Sequence, residues 1–462
     1  MSYETALASM YALGHELANT PSHKFDLAHM RVVLAALDNP ERRFPAVLIA
    51  GTNGKGSTAA TLASILQSAG LRTGLYTSPH LIRINERIRL NGEEISEDEF
   101  ALVHDLVERT AERLVSEGEL PWHPSFFEML TAMAFEHFAR RKVDIAVLEV
   151  GMGGRLDATN VVEPRVSIIA DISLDHQKFL GNTVGEIARE KAGIIRPGGV
   201  VVTLPQQPQA NDVIGNTILE LGARGVSAVP YVPPVSPASE DYLSRNSKPF
   251  TTGGTENTEE AQKLVSRYPL LVMGKQILVE TALVGRHQLR NVALAISAAE
   301  ELSKQGFAIS ADAIERGIRE TRWPGRFQVI PAHHAFPERV FDVAHNPDGA
   351  WALRSTLSAV YEEAPFTVVF GAMQDKDIRQ VAEILFPIAE HVIATRADNP
   401  RAASPQQIRE AAGRVSVEIE EAGNVASALT RAKALAGTGG LVVVTGSIYI
   451  VGEAMRELEI RL

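Results

Sequence analysis

The feature that most constrains this chain is a short apolar run that leads directly into a glycine-rich turn and a helix. Residues 45–50 read PAVLIA, residues 51–58 read GTNGKGST, and 55–69 has a helical pattern. In that context the backbone N–H groups of the turn and the helix N-terminus point at one place, which favours phosphate binding. The pattern predicts a nucleotide-binding loop made of Gly51, Thr52, Asn53, Gly54, Lys55, Gly56, Ser57 and Thr58.

Lys55 lies between two glycines at the predicted start of the helix. Its ammonium group is expected to contact the β- and γ-phosphates, with the hydroxyl of Ser57 or Thr58 near a magnesium ion. The loop is a variant of the common GxxxxGK[ST] pattern because Gly56 follows the lysine. The alternative is an ordinary corner between a strand and a helix, which does not require a lysine at this position.

Short apolar runs alternate with helical segments along most of the chain. Such alternation is typical of an α/β fold in which helices cover both faces of a parallel sheet. A boundary near WPGRF (323–327) predicts two domains, 1–324 with the phosphate loop and a smaller, Rossmann-like 325–462. The predicted strands are 45–50, 71–76, 143–150, 165–172, 339–345, 366–373, 391–397 and 441–447, and regular structure resumes at 274–285. The predicted helices include 96–117, 126–141, 183–196 and 288–304.

One stretch, 229–258, breaks this alternation. It contains five prolines, many Ser and Thr residues and a Gly-Gly pair. This composition predicts a surface insertion in the first domain that takes no part in the chemistry.

Charge and composition exclude several classes of partner. The chain has 56 acidic and 45 basic residues, so its net charge of −11 argues against a general nucleic-acid binder. It has no cysteine, its first residues do not resemble a signal peptide, and it has no apolar run of membrane-spanning length. We expect a cytoplasmic monomer that acts on small molecules, without nucleic-acid or membrane partners.

Three polar residues follow predicted strands and are candidate magnesium ligands. Glu149 ends an apolar strand and precedes a glycine-rich segment, Ser78 lies in TSPHL (77–81), and His176 lies in SLDHQKFLG (173–181). Ligands of α/β sheets gather at the carboxyl ends of strands, and magnesium prefers oxygen ligands. The alternatives are a turn residue for Ser78 and a structural loop histidine for His176.

Lys191 lies in the predicted helix 183–196, beside Glu190. The simplest interpretation is a surface lysine paired with an acid at helical spacing. A deprotonated lysine also reacts with carbon dioxide, which turns a cation into an anionic oxygen ligand. The sequence alone leaves both interpretations open.

Taken together, these motifs resemble the folylpolyglutamate synthase/dihydrofolate synthase family, a branch of the Mur-type ligases. The resemblance runs from about residue 24 to 453 and is weakest over 229–268. Its motifs occur in a fixed order: GTNGKGST, TSPHL, EVGMGGRLDATN, LDH (174–176), EKAGI (190–194), HQLRN (287–291), PGRF (324–327) and DVAHNP (342–347).

The resemblance implies a role for each matching position. ATP would be bound by the phosphate loop together with Asn291, Arg326, Asp342 and His345. Two magnesium ions, with K⁺ as a further candidate cation, would be held by Ser78, Glu149, His176 and a carbamylated Lys191, and catalysis would depend on Lys55, Lys191 and His176. The pterin site would be formed by Lys24, Phe25, Asp26, Leu27, Ser125, Phe126, Phe127, Glu128, Leu156, Asp157 and Ala158.

Some of these residues also have structural interpretations. Phe126 and Phe127 can stack on a flat heterocycle, but both also suit a hydrophobic core. Asp26 and Asp157 are possible helix caps, and Arg326 is a possible surface residue.

The implied reaction is ATP-dependent ligation of L-glutamate to dihydropteroate, to folates, or to both, through an acyl phosphate. A cell-wall Mur ligase that extends a peptide precursor is the alternative within the same fold. A nucleotide-binding protein that has lost catalysis is the alternative from another class.

Overall fold

The computed structural model describes residues 1–14, 26–234, 243–245, 264–333, 336–362, 364–413 and 415–460. These residues divide into two compact units. Unit 1 comprises Met1–Val232, Leu271–Ile277 and Arg290–Glu320, and unit 2 comprises Pro233–Leu270, Leu278–Leu289 and Thr321–Leu462. Within the described ranges, no helix is long and apolar enough to cross a membrane.

Helices and strands alternate as the sequence predicts. The helices are α1 Tyr3–Ala12, α2 Leu27–Ala36, α3 Lys55–Ser68, α4 Glu97–Ser116, α5 Phe126–Arg140, α6 Gln177–Leu180, α7 Val184–Ala192, α8 Pro208–Glu220, α9 Arg286–Lys304, α10 Ala311–Glu320, α11 Pro347–Tyr361, α12 Ile378–Leu385, α13 Pro405–Ala411, α14 Val425–Ala436 and α15 Ile448–Glu457. The strands are β1 Ala46–Ala50, β2 Thr73–Tyr76, β3 Ile88–Leu90, β4 Glu93–Glu94, β5 Ile145–Glu149, β6 Pro164–Ile169, β7 Val200–Thr203, β8 Arg224–Ser227, β9 Leu243–Arg245, β10 Leu264–Val272, β11 Lys275–Thr281, β12 Gln328–Ile330, β13 Glu338–Phe341, β14 Phe366–Phe370, β15 His391–Ala394, β16 Ile419–Glu421 and β17 Leu441–Thr445.

The main sheet of unit 1 has the strand order β4-β3-β2-β5-β1-β6-β7-β8. The six neighbouring strands β2, β5, β1, β6, β7 and β8 run parallel to one another. Strands β1 and β5 are fully buried because both faces of the sheet are covered. The edge strands β3 and β4 are antiparallel, which the sequence did not predict. The carboxyl ends of β2, β5, β1 and β6 therefore lie next to one another, so the segments after them converge at one edge.

Unit 2 contains a six-stranded sheet of order β12-β13-β17-β14-β15-β16. Strands β13 to β17 are parallel and β12 is antiparallel to β13. Each unit has its own hydrophobic core, which in unit 1 includes Phe135 and Phe138 of α5 and in unit 2 includes Phe370 and Phe386. The α/β fold class predicted from the sequence is confirmed.

Two local predictions need correction. Within the predicted insertion 229–258, the structure describes a short 3-10 helix, Val229–Tyr231, and strand β9, which pairs with β10 in a three-stranded sheet of order β11-β10-β9. The other positions, from 235 to 242 and from 246 to 258, lie outside the described residues. The helix predicted over 183–196 ends at Ala192, because Gly193 follows as its C-cap and breaks the helical pattern.

Candidate functional site

The glycine-rich turn after β1 leads directly into helix α3, as the sequence predicts. Gly54 is the N-cap of α3 and has φ +85°, in the left-handed region that favours glycine. A Cβ atom at this position would collide with the side-chain amide of Asn291. The close approach therefore places Asn291, a predicted adenine contact, directly against the loop.

Two lysine ammonium groups share one backbone oxygen of the loop. Lys55 Nζ donates to the carbonyl oxygens of Gly51 at 3.0 Å and Thr52 at 3.2 Å. Lys191 Nζ donates to the same Gly51 oxygen at 2.8 Å. Both cations lie beside the carboxyl end of β1.

Lys191 is buried, with 4% of its surface exposed. Burial, together with the nearby Lys55 ammonium, lowers the pKa of Lys191 to about 7, against a raising effect of Asp175 and Asp157. The interpretation of Lys191 as a surface lysine is therefore wrong. It failed because helical spacing does not reveal which face of α7 the rest of unit 1 covers.

Glu149 and Ser78 come together at the adjacent strand ends. The Glu149 side chain is buried, and its Oε2 accepts the Ser78 backbone N–H at 3.2 Å. Because β5 pairs with β1 and β2, both residues lie at the same sheet edge as the phosphate loop. Two of the predicted magnesium ligands are thus neighbours.

His176 follows β6 at the same edge. Its backbone is left-handed, with φ +50°, and its N–H is accepted by Asp175 Oδ1 at 2.8 Å. The ring is 27% exposed, and its Nε2 lies 4.0 Å from Asp175 Oδ2. The Asp175 charge also acts on Lys191, so these side chains share one electrostatic environment.

The donor chemistry of this edge is compatible with magnesium. Among the described residues, no three His, Cys, Asp or Glu side chains are grouped so that they could hold a metal ion. The predicted set contains only two such residues, Glu149 and His176, so this finding does not test it. In addition, the buried hydroxyl of Thr58 on α3 has no hydrogen-bond partner within the described structure.

The segment after β6 braces the phosphate loop. The backbone oxygen of Asp171 accepts the N–H groups of Thr52 at 2.8 Å and Asn53 at 3.2 Å. The Thr52 hydroxyl donates to the Ser173 carbonyl at 3.0 Å and lies 3.1 Å from the Ser173 N–H, which donates to it. Sequence reasoning missed Asp171 and Ser173, although both lie just before the predicted His176.

The residues predicted for the pterin site have partners within the protein. Ser125 caps α5 in a capping box with Glu128, which accepts the Ser125 backbone N–H at 2.8 Å. Glu128 Oε1 lies 3.1 Å from His29 Nδ1, and His29 stacks on Trp122. Hydrogen bonds from His29 and Ser125 lower the pKa of Glu128 despite the opposing effect of its burial.

The two phenylalanines differ. Phe126 is a core residue with 4% exposure, packed against Tyr11 and under the Arg87 guanidinium. Phe127 is only partly buried and borders Gly151, where an added Cβ would lie 2.5 Å from the ring. Of the two rings, Phe127 is therefore the better candidate for a ligand contact.

Both aspartates of the predicted pterin site are helix caps. Asp26 Oδ1 accepts the Ala28 N–H at 2.8 Å at the start of α2. Asp157 is buried and accepts three hydrogen bonds, from Met152 N–H and from the N–H and hydroxyl of Thr159. Burial raises the pKa of Asp157. The remaining predicted positions are Leu27 and Leu156, which are half-buried, Ala158, which is buried, and Lys24 and Phe25, which lie outside the described residues.

Three further nucleotide-site candidates belong to unit 2. Asp342 follows β13, is buried, and accepts the N–H groups of Phe327 at 2.8 Å and Ala344 at 2.9 Å. Burial raises the pKa of Asp342, and the nearby His287 and Arg326 side chains act in the opposite direction. His345 Nδ1 lies 2.9 Å from the Val343 carbonyl. The Arg326 guanidinium lies over Trp323. The hydrogen bond from Phe327 to Asp342 brings the PGRF and DVAHNP segments together within this unit.

A phosphate loop on a buried parallel sheet, with a separate α/β unit after it, defines an ATP-dependent ligase of the Mur type. The model of the Mur ligase middle domain matches residues 49–299, and that of the Mur ligase glutamate ligase domain matches 325–448. The chain belongs to the folylpolyglutamate synthase/dihydrofolate synthase family.

Individual relatives agree with this assignment along the whole chain. The dihydrofolate synthase/folylpolyglutamate synthase of Bacillus subtilis is 34% identical over 94% of this chain and 95% of its own. The folylpolyglutamate synthase of Lacticaseibacillus casei is 32% identical over 99% of both chains. The solved Mycobacterium tuberculosis folylpolyglutamate synthase complexed with ADP and AMPPCP is 31% identical, with a TM-score of 0.81 over 99% of both chains. The chain is an ATP-dependent ligase that adds glutamate to folate-type substrates.

Proposed function

We propose that the chain carries both activities of its family, glutamate addition to dihydropteroate and γ-linked glutamate addition to folates. The Bacillus subtilis, Mycobacterium tuberculosis and Escherichia coli relatives are named dihydrofolate synthase/folylpolyglutamate synthase, which supports this assignment. The single observation that carries the proposed site is the buried Lys191, whose amine shares the Gly51 carbonyl with Lys55.

The reaction has two steps. A substrate carboxylate oxygen bonds to the γ-phosphorus of ATP while the β–γ bridging bond breaks and ADP leaves. The amino nitrogen of glutamate then attacks the acyl carbon, the carbon–oxygen bond to phosphate breaks, and the nitrogen loses a proton. The residues of the chain contribute by orienting the reactants and neutralising charge.

Residues 51–58 hold the phosphates in this proposal, with Lys55 at the β- and γ-phosphates. Asn291 contacts the adenine, which is supported by its position against Gly54. In unit 2, Arg326 contacts phosphate and Asp342, with His345, binds the ribose. Their clustering around the PGRF and DVAHNP segments supports a common ligand.

Ser78, Glu149, His176 and carbamylated Lys191 are the proposed magnesium ligands, with K⁺ as a further candidate cation. The oxygen-rich set and the Ser78–Glu149 contact support this assignment. Bound magnesium would neutralise charge on the transferred phosphoryl group.

Lys191 is proposed to react with carbon dioxide. With its pKa lowered to about 7, a large share of the amine is neutral near neutral pH. The nitrogen bonds to the carbon of carbon dioxide and loses a proton, which leaves a carbamate anion. The change of sign replaces a cation beside Lys55 with an anion, which relieves like-charge repulsion.

The pterin-binding residues remain those proposed from the sequence, with Phe127 as the stacking residue and Phe126 supporting it from the core. The caps at Asp26, Ser125 and Asp157 fix the backbone of the three contributing segments. The proposed domain division at 324/325, the cytoplasmic location and the monomeric state stay predictions.

The function is tested by ATP-dependent phosphate release in the presence of glutamate and one of three acceptors. We expect turnover with dihydropteroate and with tetrahydrofolate, and none with a muramyl nucleotide. Turnover with only one pteridine would reduce the proposal to a single activity. Turnover with the muramyl nucleotide alone would overturn it.

A further inference from the structure

An arginine on α9 is linked to the phosphate loop through a residue that the family motifs do not include. Arg290 Nη2 donates to Asp171 Oδ1 at 2.6 Å, and its Nε donates to Asp171 Oδ2 at 3.2 Å. The two parallel hydrogen bonds form the fork that holds a carboxylate in a fixed orientation. A third bond, from Arg290 Nη2 to the Pro205 carbonyl at 3.0 Å, ties the same guanidinium to the segment after β7.

Asp171 is the residue whose backbone oxygen accepts the N–H groups of Thr52 and Asn53. The side chain and the main chain of this one residue thus face different partners, the arginine fork and the phosphate loop. The next residue of α9, Asn291, packs against Gly54 on the other part of the loop. Consecutive residues of one helix therefore constrain the loop at two points.

The same segment continues to His176, only five positions after Asp171. A shift of Asp171 would move both its carbonyl oxygen, which accepts hydrogen bonds from the phosphate loop, and the segment that carries His176. The hydroxyl of Thr52 is also bound to Ser173 in this segment, so the two stretches are held at several points.

We propose that Arg290 and Asp171 are a positioning pair, which holds the phosphate loop and the segment carrying His176 in the relative position that ATP binding requires. The proposal rests on the proposed role of residues 51–58 in phosphate binding. Neither side chain contacts the reacting atoms; the pair acts through the Asp171 carbonyl. The ligand that the loop held by this pair would bind is the triphosphate of a nucleotide.

The competing explanation is a partly exposed ion pair without a functional role. The two side chains are 30% and 34% exposed, and pairs of this kind contribute little to stability. The Arg267–Glu280 pair provides a matched control, because its bond is also 2.6 Å and its side chains are 36% and 25% exposed. This pair joins β10 to β11 within unit 2.

The test compares Arg290→Met, Arg290→Lys, Asp171→Ala, the double variant Asp171→Ala/Arg290→Met, and Arg267→Met. Steady-state kinetics give KM for ATP, KM for glutamate and kcat, and calorimetry gives ADP affinity. We expect Arg290→Met and Asp171→Ala each to raise KM for ATP roughly tenfold, with KM for glutamate unchanged. The double variant should resemble the single variants, and Arg290→Lys should lie between wild type and Arg290→Met.

Two results would overturn the proposal. One is a KM for ATP in Arg290→Met and Arg290→Lys that matches Arg267→Met. The other is an additive effect of the two single substitutions. The variant Lys55→Ala separates this inference from the proposed function on which it depends. If Lys55→Ala keeps normal ATP affinity, the assignment of residues 51–58 as the phosphate loop fails. If Lys55→Ala loses ATP affinity but the Arg290 and Asp171 variants do not, only the proposed role of the Arg290–Asp171 pair fails.

Discussion

Two regions of unit 1 contain residues of the predicted sites, and they differ in how their polar groups are hydrogen-bonded. At the phosphate loop, the ammonium groups of Lys55 and Lys191 donate to backbone carbonyls, and the buried Thr58 hydroxyl has no partner among the described residues. Around Ser125 and Asp157, the carboxylates and hydroxyls are bound by the protein's own donors. The first region places two lysine ammonium groups on backbone carbonyl oxygens, whereas the second region hydrogen-bonds its carboxylates to backbone N–H groups.

This difference in hydrogen bonding distinguishes residues expected to act in catalysis from residues expected to stabilise the fold. Burying a cation without a carboxylate destabilises a protein, so its presence indicates a role in binding or catalysis. A capped and hydrogen-bonded loop stabilises the fold whether or not a ligand binds. Substitutions at the phosphate loop should therefore reduce the rate with little loss of stability, and those in the second region should do the reverse.

The largest expected effect is that of Glu149→Gln. Loss of one buried negative charge at the proposed metal site should reduce kcat by on the order of 10²-fold or more. Glu128→Gln is the matched control, since Glu128 is also buried but is bound to His29. Because Glu128 belongs to the proposed pterin site, its substitution should lower the free energy of unfolding and raise KM for dihydropteroate, with kcat near normal. Equal losses of kcat in both variants would contradict the comparison.

Asp157→Ala should reduce stability most within the second region. The substitution leaves the buried N–H groups of Met152 and Thr159 without their acceptor. We expect the free energy of unfolding to fall by about 2–3 kcal/mol, measured by urea denaturation. A loss below about 0.5 kcal/mol would show that these hydrogen bonds do not hold the loop.

A histidine in the last turn of α5, the helix that Ser125 caps, should make stability depend on pH. Burial lowers the pKa of His137 on α5 to about 4 from an unfolded value of 6.5. Below pH 6.5 the unfolded chain binds a proton that the folded chain does not, so stability present above pH 6.5 is lost as the pH falls. Between pH 7 and 5 the contribution is about 2 kcal/mol. His137→Leu should flatten this part of the profile, and an unchanged slope would assign it to other groups.

The smallest effect is expected for Ser125→Ala, which removes the cap of α5. Its cost should be about 1 kcal/mol, equal to that of Ser404→Ala, which removes a similar capping box from α13. Only Ser125→Ala should also raise KM for dihydropteroate. Unchanged KM in both variants would reduce Ser125 to a purely structural residue.

The sequence predicted the strand, turn and helix around residues 51–58 because these elements are local and their residues are contiguous. It did not predict that Lys191 is buried, since α7 becomes covered only after distant segments fold against it. The pairing of Arg290 with Asp171 was missed for the same reason: the two residues are 119 positions apart, and the HQLRN motif that contains Arg290 does not indicate its partner. The choice between core and ligand contact for Phe126 likewise needed the packing of Tyr11 and Arg87.

The most direct test of the central claim is chemical rescue of Lys191→Ala. If the buried lysine acts as a carbamate beside the phosphate loop, small carboxylates such as formate or acetate should restore part of the lost ligase activity. The variant itself should remain folded, because it removes a buried cation rather than a packed core residue. Rescue by small amines, with none by carboxylates, would show that the ammonium is the functional group and contradict the account.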